Sequence, residues 1–168
     1  MTCGQTAKQR LAIWLAKPTL ILGVGNPWRG DDAAGPRVCA AAGSRYVVDC
    51  GDAPERELGR AADPGVAQVL IVDAMDFGGG AGELAFCRPE DLTERAGTTH
   101  TTGLAMLARY LEEAYGKPVA VLGIQPGETQ FGAEMGEAVK AAVAEVSAVL
   151  ADCVASRPAK REAEWTRS

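Results

Sequence analysis

The strongest constraint on this chain's fold is a set of short, unbroken apolar runs at residues 19–24 (TLILGV), 69–72 (VLIV) and 119–124 (VAVLGI). Each is too short for an independent helix and lacks the alternation of a strand with one wet face. Each also ends at a turn former or an acid: Gly25-Asn26-Pro27, Asp73 and Gln125-Pro126-Gly127. Runs of this kind are strands buried on both faces. Strands buried on both faces belong to parallel sheets covered by helices. A further strand is expected at residues 46–49, ending at Cys50-Gly51, and an edge strand at residues 83–87.

Helical patterns lie between the runs. Residues 32–42 are Ala-rich, with the regular start expected near Pro36, and residues 54–62 open on a proline suited to a first turn. A short helix is expected at 89–95. Over residues 100–115, Leu104, Leu107, Ala108 and Leu111 recur at helical spacing until Gly116-Lys117-Pro118 stops them. The last helix is expected over 133–154, with Val139, Ala142, Val143, Val146, Val149 and Leu150 on its buried face. This alternation predicts a single-domain α/β fold, a three-layer α/β/α sandwich with a mostly parallel central sheet. Only 5% of residues are aromatic, so Ala, Val, Leu and Ile must build the core.

The domain is expected to span residues 18–155, with a lead-in at 1–17 and a polar, disordered tail at 156–168. In the lead-in, Lys8 and Arg10 precede the apolar residues 11–16, which Lys17-Pro18 cut off. That run is too short for a signal-peptide core or a membrane span, so a cytoplasmic protein without membrane insertion is expected. The net charge of −5 understates the acidity of the body, because the tail is locally basic. Such a surface is a poor match for nucleic acid. The five cysteines are odd in number and include no Cys-x-x-Cys pair, as suits a reducing compartment.

Ligands of open parallel sheets bind at the carboxyl ends of the strands. The polar residues there are Asn26, Asp31 and Asp32 after the first run, Asp49 and Asp52 after the second strand, and Asp73 and Asp76 after the third. The Gly23-x-Gly25-Asn26 turn lacks the third glycine of a dinucleotide loop, whose position Trp28 holds. It also lacks a Walker lysine, so no organic cofactor is expected, and its glycines fit a tight strand-to-helix turn. His100, the sole histidine, follows Thr98-Thr99 at the start of a helix. No Gly-x-Ser-x-Gly elbow accompanies it. Two carboxylates and one imidazole suit a borderline divalent ion such as nickel or zinc.

The segment from Gly23 to Pro36 (GVGNPWRGDDAAGP) resembles the opening signature of the nickel–iron hydrogenase maturation endopeptidases. The resemblance continues in VDCGDAPE (48–55), LIVDAMD (70–76), TTH (98–100) and LGIQP (122–126), and looks closest to the branch serving formate-hydrogenlyase-type hydrogenases. It implies an enzyme that removes a C-terminal extension from a hydrogenase large-subunit precursor once nickel has been inserted. The metal-engaging and catalytic positions it implies are Asp32, Asp73 and His100, with the nickel supplied by the substrate. Asp49 matches another acidic position near the cleft, and Asp31 is the lesser member of its pair. Cys50-Gly51-Asp52 stands where relatives have Gly-Gly and then Ser or Thr, which makes Asp52 a candidate for substrate contact. The same residues also fit a hydrolase with its own divalent metal, or a non-catalytic checkpoint that binds a metalloprotein precursor.

Overall fold

The computed structural model describes residues 5–42, 44–94 and 99–155. Thr98, Arg95 and the tail at 156–168 lie outside them. Five strands form one sheet in the order β2-β1-β3-β5-β4: β1 (Thr19–Val24), β2 (Val47–Gly51), β3 (Gln68–Ala74), β4 (Leu84–Cys87) and β5 (Val119–Ile124). The pairs β1–β2, β1–β3 and β3–β5 are parallel, and only the edge strand β4 runs antiparallel, against β5. β1, β3 and β5 are buried throughout, as unbroken apolar runs require.

Successive side chains of a strand point to opposite faces, and here each face has its own helical layer. Ile21, Leu70, Val72, Ala120 and Leu122 pack with α1 (Ala7–Trp14), α2 (Ala34–Ala40) and α5 (Glu137–Ala155). Leu20, Leu22, Val69, Ile71, Val119 and Val121 pack with α3 (Pro89–Glu94) and α4 (Thr99–Tyr115). The expected α/β/α sandwich is thus present as one domain. The lead-in contributes to it, since Leu11 and Leu15 are buried in the first of these layers. Among the described residues, no helix is long and apolar enough to cross a membrane.

Several boundaries differ from the expected ones. The segment after β1 starts with a 3₁₀ turn (Gly30–Ala33), and α2 begins at Ala34, ahead of Pro36. Pro36 fits inside that first turn because an N–H there has no intrahelical acceptor to lose. Residues 54–62 form two 3₁₀ turns, Pro54–Arg56 and Leu58–Ala62, in place of one helix. α5 starts at Glu137, later than expected, because the Gly136 N–H is drawn to Asp31 Oδ1 at 2.7 Å.

Two glycines let α2 lie directly on the sheet. A Cβ on Gly35 would stand 2.3 Å from the carbonyl oxygens of both Val24 and Val72, and one on Gly23 would stand 2.4 Å from the Gly35 oxygen. This close approach brings the chain between β1 and α2 tight against the carboxyl edge of the sheet.

Candidate active site

The chain leaving β1 folds back on itself. Gly25, at φ +146°, passes so close to Asp32 that a Cβ would fall 1.9 Å from its carbonyl oxygen. The Asn26 N–H then donates to Asp32 Oδ2 at 2.9 Å, and Asn26 Oδ1 accepts the Trp28 N–H at 2.9 Å. These contacts fix the Asp32 carboxylate against a cleft of about 520 Å³, lined by Asn26, Arg29, Asp32, Asp52, Ala74, Asp76, Pro126 and Thr129. The lining comes from the loops after β1, β2, β3 and β5, as expected for the carboxyl edge of a parallel sheet. Three carboxylates face one guanidinium there, so the cleft is negative.

Asp31 turns the other way. It is buried, and its Oδ2 accepts the Gly127 and Glu128 N–H groups at 2.7 and 2.9 Å while Oδ1 accepts that of Gly136. The two neighbouring acids therefore divide the work. Asp31 braces the β5–α5 loop, and Asp32 opens on the cleft.

Asp73 lies within β3 opposite Gly123 of β5, one residue before the cleft-lining Ala74, and it is 1% exposed. Strand alternation places it on the face of Val69 and Ile71, the face that α4 covers. α4 ends at Tyr115 and β5 starts at Val119, so the helix runs back antiparallel to β5. Its first turn, which contains His100, is thereby at the same carboxyl edge as Asp73. The His100 side chain lies outside the described atoms. Among the described residues, no group of His, Cys, Asp and Glu side chains is arranged to hold a metal ion.

Asp52 lines the cleft, whereas Asp49 does not. Asp49 Oδ1 accepts the Gly51 N–H at 2.9 Å, and alternation puts Asp49 with Val47 on the α2 side of the sheet. Asp76, weighed only as one strand-end acid among several, is in the cleft. Gln125 holds it there: Nε2 donates to Asp76 Oδ1 at 3.1 Å, while Oε1 accepts the Phe77 and Gly79 N–H groups. The Gln125 hydrogen bond, helped by the Gly78 N–H, lowers the Asp76 pKa below its ordinary value. Arg29 was a missed lining residue. Its Nε donates to the Thr129 carbonyl at 3.1 Å, a partner 100 residues away that local sequence pattern does not reveal.

Cys50 sits at the end of β2, near enough to raise the question of a thiol nucleophile. Burial, followed by the charges of Glu57 and Asp49, pushes its pKa up to about 12. Cys39 is likewise pushed up to about 12, first by burial and then by Cys50 and Asp49. Neither is a thiolate at neutral pH, and a thiol nucleophile must be one.

A family model described as hydrogenase maturation protease matches residues 37–152. The chain is 40% identical over 130 residues to the hydrogenase 3 maturation protease of Escherichia coli K12, covering 74% of this chain and 83% of that relative. The chain belongs to the hydrogenase maturation protease family. Like other maturation proteases, it is a peptidase. Solved structures agree with this assignment. The NiFe hydrogenase maturation protease HycI of Thermococcus kodakarensis superposes with a TM-score of 0.77 at 29% identity, covering 88% of this chain and 99% of that one. The endopeptidase HycI of Escherichia coli gives a TM-score of 0.68 at 34% identity, over 80% of this chain and 89% of that one.

Proposed function

We propose that this peptidase removes the C-terminal extension of a nickel–iron hydrogenase large-subunit precursor after nickel insertion. In this reading Asp32, Asp73 and His100 engage the nickel that the precursor brings. The observation that supports it most is the carboxyl edge of the sheet that the Asp32 loop, β3 and the start of α4 share. Asp32 lines the negative cleft, Asp73 is the penultimate residue of the central strand β3, and the first turn of α4 meets the same edge. Oxygen and imidazole ligands suit nickel.

Bound nickel would polarise the scissile carbonyl or lower the pKa of an attacking water. The protein's own part is to place carboxylates around that centre and to admit the substrate only when the metal is present. The Cys50 pKa fits a reaction without a thiol nucleophile. The free thiols of Cys39 and Cys50 fit a reducing compartment, and we place the enzyme in the cytoplasm.

The test is incubation with nickel-loaded precursor, followed by mass spectrometry of the large subunit. The wild-type protein is expected to release the extension as one fragment. Asp73→Asn and His100→Ala are expected to slow that release by about 100-fold or more. Release at the wild-type rate by both variants would contradict the assigned trio.

A further inference from the structure

A dense set of hydrogen bonds joins the loop after β1 to the loop after β5. Besides the three amides gripped by the Asp31 carboxylate, the Asp31 N–H donates to the Glu128 carbonyl at 2.8 Å and Arg29 Nε to that of Thr129. The Gly132 N–H donates to the Trp28 carbonyl at 2.8 Å. The two loops therefore behave as one rigid unit with Asp31 at its centre.

This unit holds two large apolar side chains in water. Trp28 is 69% exposed and Phe131 76% exposed, the two most exposed of the large hydrophobic residues described. The Gly132–Trp28 bond makes their backbones near neighbours, on a rim built by the two loops. Neither side chain contributes to a core, and the buried-core clusters contain neither of them. The same two loops supply Asn26, Arg29, Pro126 and Thr129 to the cleft lining. Trp28 precedes the cleft-lining Arg29 directly, and Phe131 follows the cleft-lining Thr129 by two residues.

We infer that Trp28 and Phe131 form the docking surface for an apolar segment of the precursor flanking the scissile bond, and so set substrate specificity. The inference rests on the proposed precursor-processing function. A peptidase needs a protein occupant at its cleft, and the loops that carry this rim also line the cleft through Arg29 and Thr129. Aromatic side chains are the anchors that most often dominate protein–protein contacts. Anchors mounted on an already rigid loop lose little conformational freedom on binding. The division of labour is then clear. The negative cleft handles the reacting centre, and the rim holds the chain beside it.

The experiment compares wild type, Trp28→Ala, Phe131→Ala and the double variant on nickel-loaded precursor, measuring both cleavage kinetics and direct binding. Trp28→Phe serves as the conservative replacement and Ile13→Ala, an exposed apolar residue on α1, as a control. All these side chains are in water, so the variants are expected to melt close to wild type. Each single alanine variant is expected to raise KM by about tenfold while kcat stays within about twofold. Trp28→Phe should recover most of the loss, and Ile13→Ala should change nothing. An unchanged KM and binding constant in the double variant would overturn the inference. So would a fall in kcat with KM unaltered, or conversion of a dimer to a monomer without any change in KM. If the wild type binds the precursor but does not cut it, the proposed function fails on its own account. Weaker binding by the double variant would then still support the docking surface, and equal binding would still overturn it.

Discussion

Both oxygens of Asp31 are taken by backbone amides of the β5–α5 region, whereas Asp32 gives one oxygen to the Asn26 amide and lines the cleft. Their substitutions should therefore fail in different ways. Asp31→Asn turns one oxygen into an amide that faces a donor, and it is expected to cost about 2–4 kcal/mol of stability in urea unfolding. Asp32→Asn is expected to stay within about 1 kcal/mol of wild type and to lose precursor cleavage. Sequence pattern offered both acids at the right strand end but gave no means to separate them, because the amides that capture Asp31 come from residues 127, 128 and 136. Only the family resemblance favoured Asp32. The carboxylate of Asp76 allows a pH prediction. Its folded pKa is depressed, chiefly by Gln125, so its contribution to stability is present above the unfolded value near 3.8 and is lost as pH falls through the folded value. An NMR titration should find Asp76 ionising below 3.8, and Gln125→Ala should move it back up.

Element boundaries were legible wherever the local pattern decides them. The run 119–124 is β5 to the residue, because a short apolar segment between Pro118 and Gln125-Pro126 has no competing structure. They were not legible where a distant group decides. Residues 133–136 have helical composition, yet α5 waits until Glu137 because Asp31 claims the Gly136 amide. The segment 54–62 has the proline of a helix start, but Gly59 weakens it and two 3₁₀ turns result. The packing of α2 rests on a close contact that sequence only hinted at through its glycines. Gly35→Ala would drive a Cβ into the carbonyls of Val24 and Val72, forcing α2 off β1 and β3. The expected outcome is a loss of about 1–3 kcal/mol in denaturant unfolding, with precursor cleavage weakened because the Asp32 loop shifts with the helix. Cleavage and stability both unchanged would show that α2 does not set the position of that loop.

At the scale of the molecule, the layers followed from alternation of buried strands and amphipathic helices, and the sheet order then fixed where a site had to be. What no local pattern could supply was the composition of the cleft. Asp52, Asp76, Arg29 and Thr129 meet there only because four loops, far apart in the chain, leave the same edge of one sheet. The acids are legible as strand-end residues; their company is a property of the fold. In the proposed function this edge reads nickel carried by the substrate. The direct measurement incubates the wild-type protein with nickel-loaded and nickel-free precursor in parallel and follows the size of the large subunit. Release of the C-terminal extension from the nickel-loaded form alone is expected, and equal cleavage of both forms would contradict the proposed function.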